Sequence, residues 1–197
     1  LFASLLLCFH PWGFDILAMY VPVLPLMAVL LYLLRGGQAK ALLAWLISAG
    51  MYLAVQANPA LNLPRFGDGG VWYFNPLAWQ LLVVLGAWWM INEDERARPW
   101  VTSRTTLMLA VLYLLFSLVI ALSWRIKPLE ALIPQALAKL LYPLDKSNLD
   151  PLRLLHFLAV AVLAAWLVPR NWRGLTTPVM RGAIRCGQNS LPIYCLG

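Results

Sequence analysis

The chain has 197 residues, of which 62% are hydrophobic and 12% are charged, and its formal net charge is +7. A soluble domain usually carries about 25% charged residues, and a soluble surface has no place for so much apolar side chain. The composition therefore argues against an ordinary soluble protein and predicts an integral membrane protein with lipid as a partner. The basic residues lie between apolar runs, as in membrane loops, so nucleic acid is not expected as a partner.

Five uncharged apolar runs approach or exceed the roughly 20 residues that a transmembrane helix needs. They predict an all-α fold, a polytopic transmembrane helical bundle with a single domain over residues 1–197. The predicted helices are 16–34, 41–58, 75–91, 106–124 and 151–168, with partial helices at 1–9 and 189–197. Because the chain begins at Leu1 and stops as an apolar stretch opens, we expect a fragment of a larger protein.

The basic residues also predict an orientation. Arginine and lysine recur in three loops, 35–40, 92–106 and 170–185. The loops 10–15 and 58–74 contain only one arginine, Arg65, and no lysine. The three basic loops are therefore expected to be cytoplasmic. The loop 125–153 falls on the outer side although it is basic, and within it Leu129–Leu141 is interpreted as a helix lying in the membrane interface.

His156 is the candidate catalytic residue. It lies within about two turns of the start of the last predicted helix, and Arg153, a candidate for substrate binding, is three residues earlier on the same face. A histidine in this position is able to take a proton from a hydroxyl as a general base. The alternative is a histidine that forms a hydrogen bond inside the bundle or at the lipid headgroups.

Three further polar residues are candidates for substrate binding. Gln80 lies about one turn inside an apolar helix, so it should form a hydrogen bond either to another helix or to a substrate. Asn148 and Lys146 lie close to His156 in sequence, but each is equally an ordinary loop residue.

Helix capping competes with substrate binding at the remaining polar positions. Asn75 and Asp150 each precede a proline, as a capping residue does at a helix start. Asp15 is also placed to cap a helix. His10 precedes Pro11 at a helix end and is interpreted as an interfacial residue or a contributor to the site. The three cysteines lack metal-like spacing, and no metal site is predicted.

Four stretches, in this order, resemble the OpgC family of bacterial inner-membrane proteins. They are FDILAMYVPVLPLM from Phe14, WYFNPLAWQLLVVLGAW from Trp72, LDKSNLDPLRLLHFLAVA from Leu144 and IRCGQNSLPIYCLG from Ile184. The family is similar to integral-membrane O-acyltransferases. Its members are longer, with an amino-terminal helix that bears an arginine and a histidine, so an essential residue is expected outside this chain.

The resemblance implies transfer of an acyl group, succinyl in this family, to hydroxyls of osmoregulated periplasmic glucans. The implied donor is an acyl-CoA, succinyl-CoA, which is a substrate and not a bound cofactor. The implied location is the bacterial inner membrane, with several membrane passes. Two alternatives stay open from the residues alone: a polytopic transporter, which would use the same polar residues to pass a solute, and a membrane scaffold without chemistry.

Overall fold

The structure, a computed structural model, describes residues 15–64, 70–92, 101, 103–123, 125, 145–168, 172–190 and 192–193. Across these ranges the chain is all-helical, which confirms the predicted all-α class. The strand-type pairing within them is an isolated bridge between Pro64 and Val71. The predicted helix 1–9 and the predicted interfacial helix Leu129–Leu141 lie outside the described residues.

Long helices occupy the apolar runs, with limits that differ from the predicted ones by less than one turn. They are α1 (Asp15–Arg35), α2 (Gln38–Ala57), α3 (Pro76–Asn92), α4 (Arg104–Ser123) and α5 (Pro151–Leu167). By length and composition, α2 and α4 are able to cross a membrane, whereas α3, α5 and the part of α1 from Met19 onward are shorter apolar helices.

The structure differs from the prediction after α5. The sequence predicts a loop over 170–185, but this range contains a 3-10 helix (Arg173–Thr176) and most of a further helix, α6 (Pro178–Gln188). Thr177 caps α6 by accepting a hydrogen bond from the Met180 N–H at 3.4 Å. A search for apolar runs misses α6 because its arginines alternate with apolar residues on a short, exposed helix.

The end of α6 also changes the prediction for residues 189–197. Asn189, where the sequence predicts a new helix to begin, is the C-terminal cap of α6. Helical hydrogen bonding continues past this point, because the Ile193 N–H donates to the Asn189 carbonyl at 3.1 Å.

The first three helices pack against one another around an apolar core. The buried residues of α1 recur at helical spacing and form one face: Met19, Val23, Met27, Leu30 and Leu34. A two-residue turn joins α1 to α2, and Gly37 within it has a φ of 93°, in the left-handed region that glycine adopts without strain. On α2, Ala44 and Ser48 are fully buried, and such small residues let helix backbones approach closely.

The helices α4 and α5 form a second packed unit. The Tyr113 hydroxyl on α4 donates to the Leu152 carbonyl at the start of α5, at 2.6 Å. Away from this contact α4 is largely uncovered, and its exposed apolar side chains include Met108, Leu109, Leu112, Leu115 and Leu118. The second unit therefore has an apolar outer face instead of a polar one.

Candidate active site

A short loop immediately before α5 joins the two helical units. Its turn is held by Asp145, whose Oδ1 accepts hydrogen bonds from the N–H groups of Ser147 and Asn148, at 2.8 and 3.2 Å. Aspartate is favoured in turns because its side chain bonds to backbone N–H groups a few residues further on. The turn places residues 147–149 against α2 and α3.

Leu149 anchors the loop in the groove between α2 and α3. It is 2% exposed and packs in a cluster with Tyr52, Val55, Ala78 and Leu81. Its φ is 52°, in the left-handed region that costs a leucine backbone free energy. The apolar burial of the side chain and a hydrogen bond from the Tyr52 hydroxyl to its carbonyl, at 3.1 Å, offset that cost.

Asn75 and Asn148 connect the two segments that the sequence places on the outer side. The Asn75 Nδ2 donates to the Asn148 Oδ1 at 2.8 Å and to the Leu61 carbonyl at 2.7 Å. The Asn75 Oδ1 accepts from the Leu77 N–H at 3.1 Å, which confirms that Asn75 caps α3. The Asn148 carbonyl accepts from Gln56 at 2.8 Å, so the loop also bonds to the end of α2.

Gln80 lies at the centre of the interface between α2 and α3. Its side chain is fully buried. The Gln80 Oε1 accepts a hydrogen bond from the Ser48 hydroxyl at 2.8 Å, and its Nε2 donates to the Ser48 carbonyl at 2.9 Å and the Leu77 carbonyl at 3.1 Å. Of the two interpretations that the sequence allows, the structure shows the hydrogen bond to another helix.

The start of α5 fixes the direction of its polar face. Asp150 caps the helix by accepting a hydrogen bond from the Leu152 N–H at 2.8 Å, and Pro151 occupies the first helical position. With the helix begun at this point, Arg153 and His156 fall three residues apart on one face, as the sequence predicts. Both line the same cleft.

The cleft is open and has a volume of about 430 Å³. Its apolar walls come from α3, from α5 and from the anchoring loop: Trp79, Leu82, Leu149, Phe157 and Val160. Arg153 and His156 supply the polar groups. Arg153 is half-buried, and within the described part of the chain its guanidinium has no hydrogen-bond or ion-pair partner. Among the described residues, the cleft thus combines an apolar surface with an unpaired cation and an imidazole.

His156 is held from the side of α4. Its Nδ1 lies 3.1 Å from the Ser117 hydroxyl oxygen, and its ring meets the Tyr113 ring edge-on with centroids 6.3 Å apart. Nδ1 is thereby engaged, and Nε2 has no hydrogen-bond partner among the residues that the structure describes. Nε2 is the ring nitrogen that remains available to a molecule in the cleft.

Comparison with known proteins identifies the family. A family model described as OpgC protein matches residues 1–197. The chain belongs to the OpgC family. The resemblance carried by the four sequence stretches is therefore confirmed. Neither curated proteins nor solved structures gave a match to this OpgC-family chain.

The structure brings together only some of the predicted site residues of this OpgC-family chain. Arg153 and His156 share the cleft. Gln80 does not meet them, because its amide faces Ser48 while its neighbours Trp79 and Leu82 line the cleft. Lys146 is exposed on the loop. Asp15 is the first residue of α1, but its side chain lies outside the described part of the structure, as does the whole of His10.

Ser117 is the polar contact of His156 that sequence reasoning missed. It is a hydroxyl residue within an apolar helix, where a polar side chain favours a hydrogen-bond partner as Gln80 does, but less strongly. A serine is able to bond to the carbonyl four residues earlier in its own helix, so its presence does not by itself demand a partner. An unpaired glutamine amide does demand one, which is why only Gln80 gave a signal.

Proposed function

We propose that this chain forms part of a membrane acyltransferase that modifies periplasmic glucans. The family suggests a role in glucan modification. The acyl chemistry follows the family resemblance, and the cleft offers a candidate base and a cation for it. An acyl group, succinyl by family resemblance, would pass from an acyl-CoA donor to a glucan hydroxyl, with His156 as the base. The observation that carries the proposal is the imidazole of His156 beside the half-buried Arg153, where neither Nε2 nor the guanidinium has a partner among the described residues.

The proposal includes a polytopic bundle in the bacterial inner membrane. Two described helices are long and apolar enough to cross a bilayer. Large apolar side chains are also exposed on α1, α2, α4 and α5. In water such a surface would be an aggregation liability, whereas in lipid it is the expected exterior.

Cysteine labelling tests the membrane arrangement. Gln38 begins α2, and Lys146 lies in the loop that bonds to Gln56 near the other end of the same helix. In a background without native cysteines, Gln38→Cys should react with a membrane-impermeant reagent only from the cytoplasmic side, and Lys146→Cys only from the periplasmic side. Labelling of both positions from one side would reject the proposed crossing by α2.

The proposed reaction is a direct acyl transfer. His156 Nε2 takes the proton of a glucan hydroxyl while the oxygen of that hydroxyl attacks the thioester carbonyl of the acyl-CoA. A carbon–oxygen bond forms, and the tetrahedral intermediate carries a negative charge that the Arg153 guanidinium stabilises. The carbon–sulfur bond then breaks, and the departing thiolate takes the proton back from the imidazolium, which leaves the ester on the glucan and free coenzyme A.

The other predicted site residues receive different roles in this proposal. Gln80, Asn75 and Asn148 hold the helices and the loop that form the cleft, since their side chains are already bonded within the protein. Lys146, on the exposed side of the loop, is proposed to contact the glucan. Asp15 and His10 remain predicted substrate contacts.

The test compares His156→Ala with Asp150→Ala in the whole protein. A positioned general base typically contributes about 10²–10⁴-fold to rate, and His156→Ala should lower acyl transfer by that factor without changing membrane insertion. Asp150→Ala should cost about 1 kcal/mol of stability through the lost cap, with a modest effect on activity. The measurements are the acyl ester content of extracted glucans and transfer from acyl-CoA in purified membranes, at matched protein levels.

The outcomes separate chemistry from structure. Wild-type transfer by His156→Ala would reject His156 as the base. Equal losses in the two variants would show that the start of α5 matters for folding and not for proton transfer.

A further inference from the structure

The two nitrogens of the His156 ring have different surroundings. Nδ1 lies 3.1 Å from the Ser117 hydroxyl of α4. Ser117 does not line the cleft, whereas His156 does. The serine therefore contacts the histidine from the helix interface, and a substrate would approach the other nitrogen.

We propose that Ser117 is a positioning residue that sets the tautomer of His156. Its hydroxyl oxygen accepts a hydrogen bond from Nδ1–H, which keeps the lone pair on Nε2. This inference rests on the proposed function, because a neutral imidazole acts as a base at Nε2 only when Nδ1 carries the proton. The serine hydroxyl proton is then free to turn towards the carbonyl of Tyr113, four residues earlier in α4, as helical serines do.

The contacts around the pair favour a fixed geometry. The Tyr113 ring meets the imidazole edge-on, and its hydroxyl bonds to the Leu152 carbonyl at 2.6 Å. These contacts join α4 to α5 within about one turn of the Ser117–His156 pair. A hydrogen bond held in this way orients the ring as well as selecting its tautomer, as the outer partners of ligating histidines do.

The same geometry argues against Ser117 as a nucleophile. A nucleophilic serine must reach the acyl carbonyl, and Ser117 lies outside the lining of the cleft. It must also give its proton to the histidine, yet a base at Nε2 leaves Nδ1 already protonated. The position of Ser117 outside the cleft lining therefore favours the positioning role, and the proposed tautomer is consistent with that role.

The experiment uses six variants of the whole protein. They are Ser117→Ala, Ser117→Thr, Ser123→Ala, His156→Ala, His156→Gln and the double variant Ser117→Ala/His156→Ala. Ser123 is the matched control, because it lies on the same helix and its hydroxyl donates to the Ile120 carbonyl of that helix at 2.7 Å. We measure kcat and KM for glucan acylation by acyl-CoA. We also record the imidazole ¹⁵N shifts, assigned by their loss in His156→Gln.

We expect Ser117→Ala to lower kcat about 10–100-fold. This is the typical loss when a metal-ligating histidine loses the hydrogen-bond partner of its other ring nitrogen. KM for the glucan should be unchanged. Ser117→Thr should restore kcat because it retains the hydroxyl, and Ser123→Ala should resemble the wild type. The ¹⁵N shifts should report Nδ1–H in the wild type and a mixture of tautomers in Ser117→Ala. The double variant should be no slower than His156→Ala alone, since the serine acts through the histidine.

Three results would overturn the positioning role. They are equal effects of Ser117→Ala and Ser123→Ala, a further loss in the double variant, and an acyl adduct on Ser117 detected by mass spectrometry. A fully active His156→Ala is a different failure, because it rejects the proposed base itself whatever Ser117 does.

Discussion

Polar side chains lie among apolar helices in two regions, the interface between α2 and α3 and the cleft between α3 and α5. The two regions differ in how far those side chains are hydrogen-bonded within the protein. In the interface, Gln80 is fully buried and its amide oxygen and nitrogen are both bonded to Ser48. In the cleft, and among the described residues, Arg153 is unpaired and His156 forms a hydrogen bond through one ring nitrogen only.

The difference separates a structural polar group from a functional one. A buried amide must form its hydrogen bonds within the protein, because leaving them unmade costs free energy. A polar group at the opening of a cleft keeps an atom free to form a hydrogen bond or ion pair with a ligand. The surrounding residues must then fix the orientation of that group. Polarity inside an apolar helix is therefore an ambiguous signal until the partners are known.

The largest expected effect is on the anchor that joins the two regions. Leu149→Ala should destabilise the protein by about 2–5 kcal/mol, the range for truncating a buried leucine, because it empties the groove formed by Tyr52, Val55, Ala78 and Leu81. Unfolding in detergent micelles measures the change. Glucan acylation should fall with it, since Leu149 also forms part of the cleft wall.

Leu155→Ala is the matched control for the anchor. Leu155 lies on α5 and is 50% exposed, so its truncation leaves no cavity in the core. A loss of stability as large as that of Leu149→Ala would show that the loop does not anchor α5 on α2 and α3.

A smaller effect is expected in the structural interface. Gln80→Leu keeps most of the side-chain volume but removes the hydrogen bonds to Ser48, and it should cost about 1–2 kcal/mol. The double variant Gln80→Leu/Ser48→Ala should cost less than the sum of the two single changes, because each single change leaves the other side chain without its hydrogen-bond partner and the double variant does not. Additive losses would show that Gln80 and Ser48 do not stabilise the protein as a pair. A change in acylation that exceeds the loss of folded protein would show that Gln80 contributes to the reaction.

The smallest effect on stability is expected in the cleft. Arg153→Gln should change the free energy of unfolding by no more than about 0.5 kcal/mol, because Arg153 lies at the opening of the cleft and forms no hydrogen bond or ion pair with a described residue. It should nevertheless reduce acyl transfer, because it removes the proposed stabilising charge. Arg181→Gln on the exposed helix α6 is the control for charge alone. Normal transfer by Arg153→Gln would leave the cleft without its proposed oxyanion partner.

The positions where sequence reasoning succeeded depend on local chemistry. Apolar runs predicted the long helices, and the Asn75–Pro76 and Asp150–Pro151 pairs predicted where α3 and α5 begin. The spacing of Arg153 and His156 placed them on one face because a helix repeats every three to four residues. The helix α6 was missed for the converse reason, since its mixture of arginine and apolar residues forms no apolar run.

The sequence by itself determined the all-α class, the family and the starts of α3 and α5, because propensity, capping and the order of motifs act over a few residues at a time. Tertiary structure alone decided that Gln80 bonds to Ser48, 32 residues away, and that Ser117 meets His156, 39 residues away. It also decided that Leu149 fills a groove in spite of a left-handed backbone. Such pairings depend on which helix faces pack together, and that choice belongs to the free energy of the whole bundle and not to any segment of it.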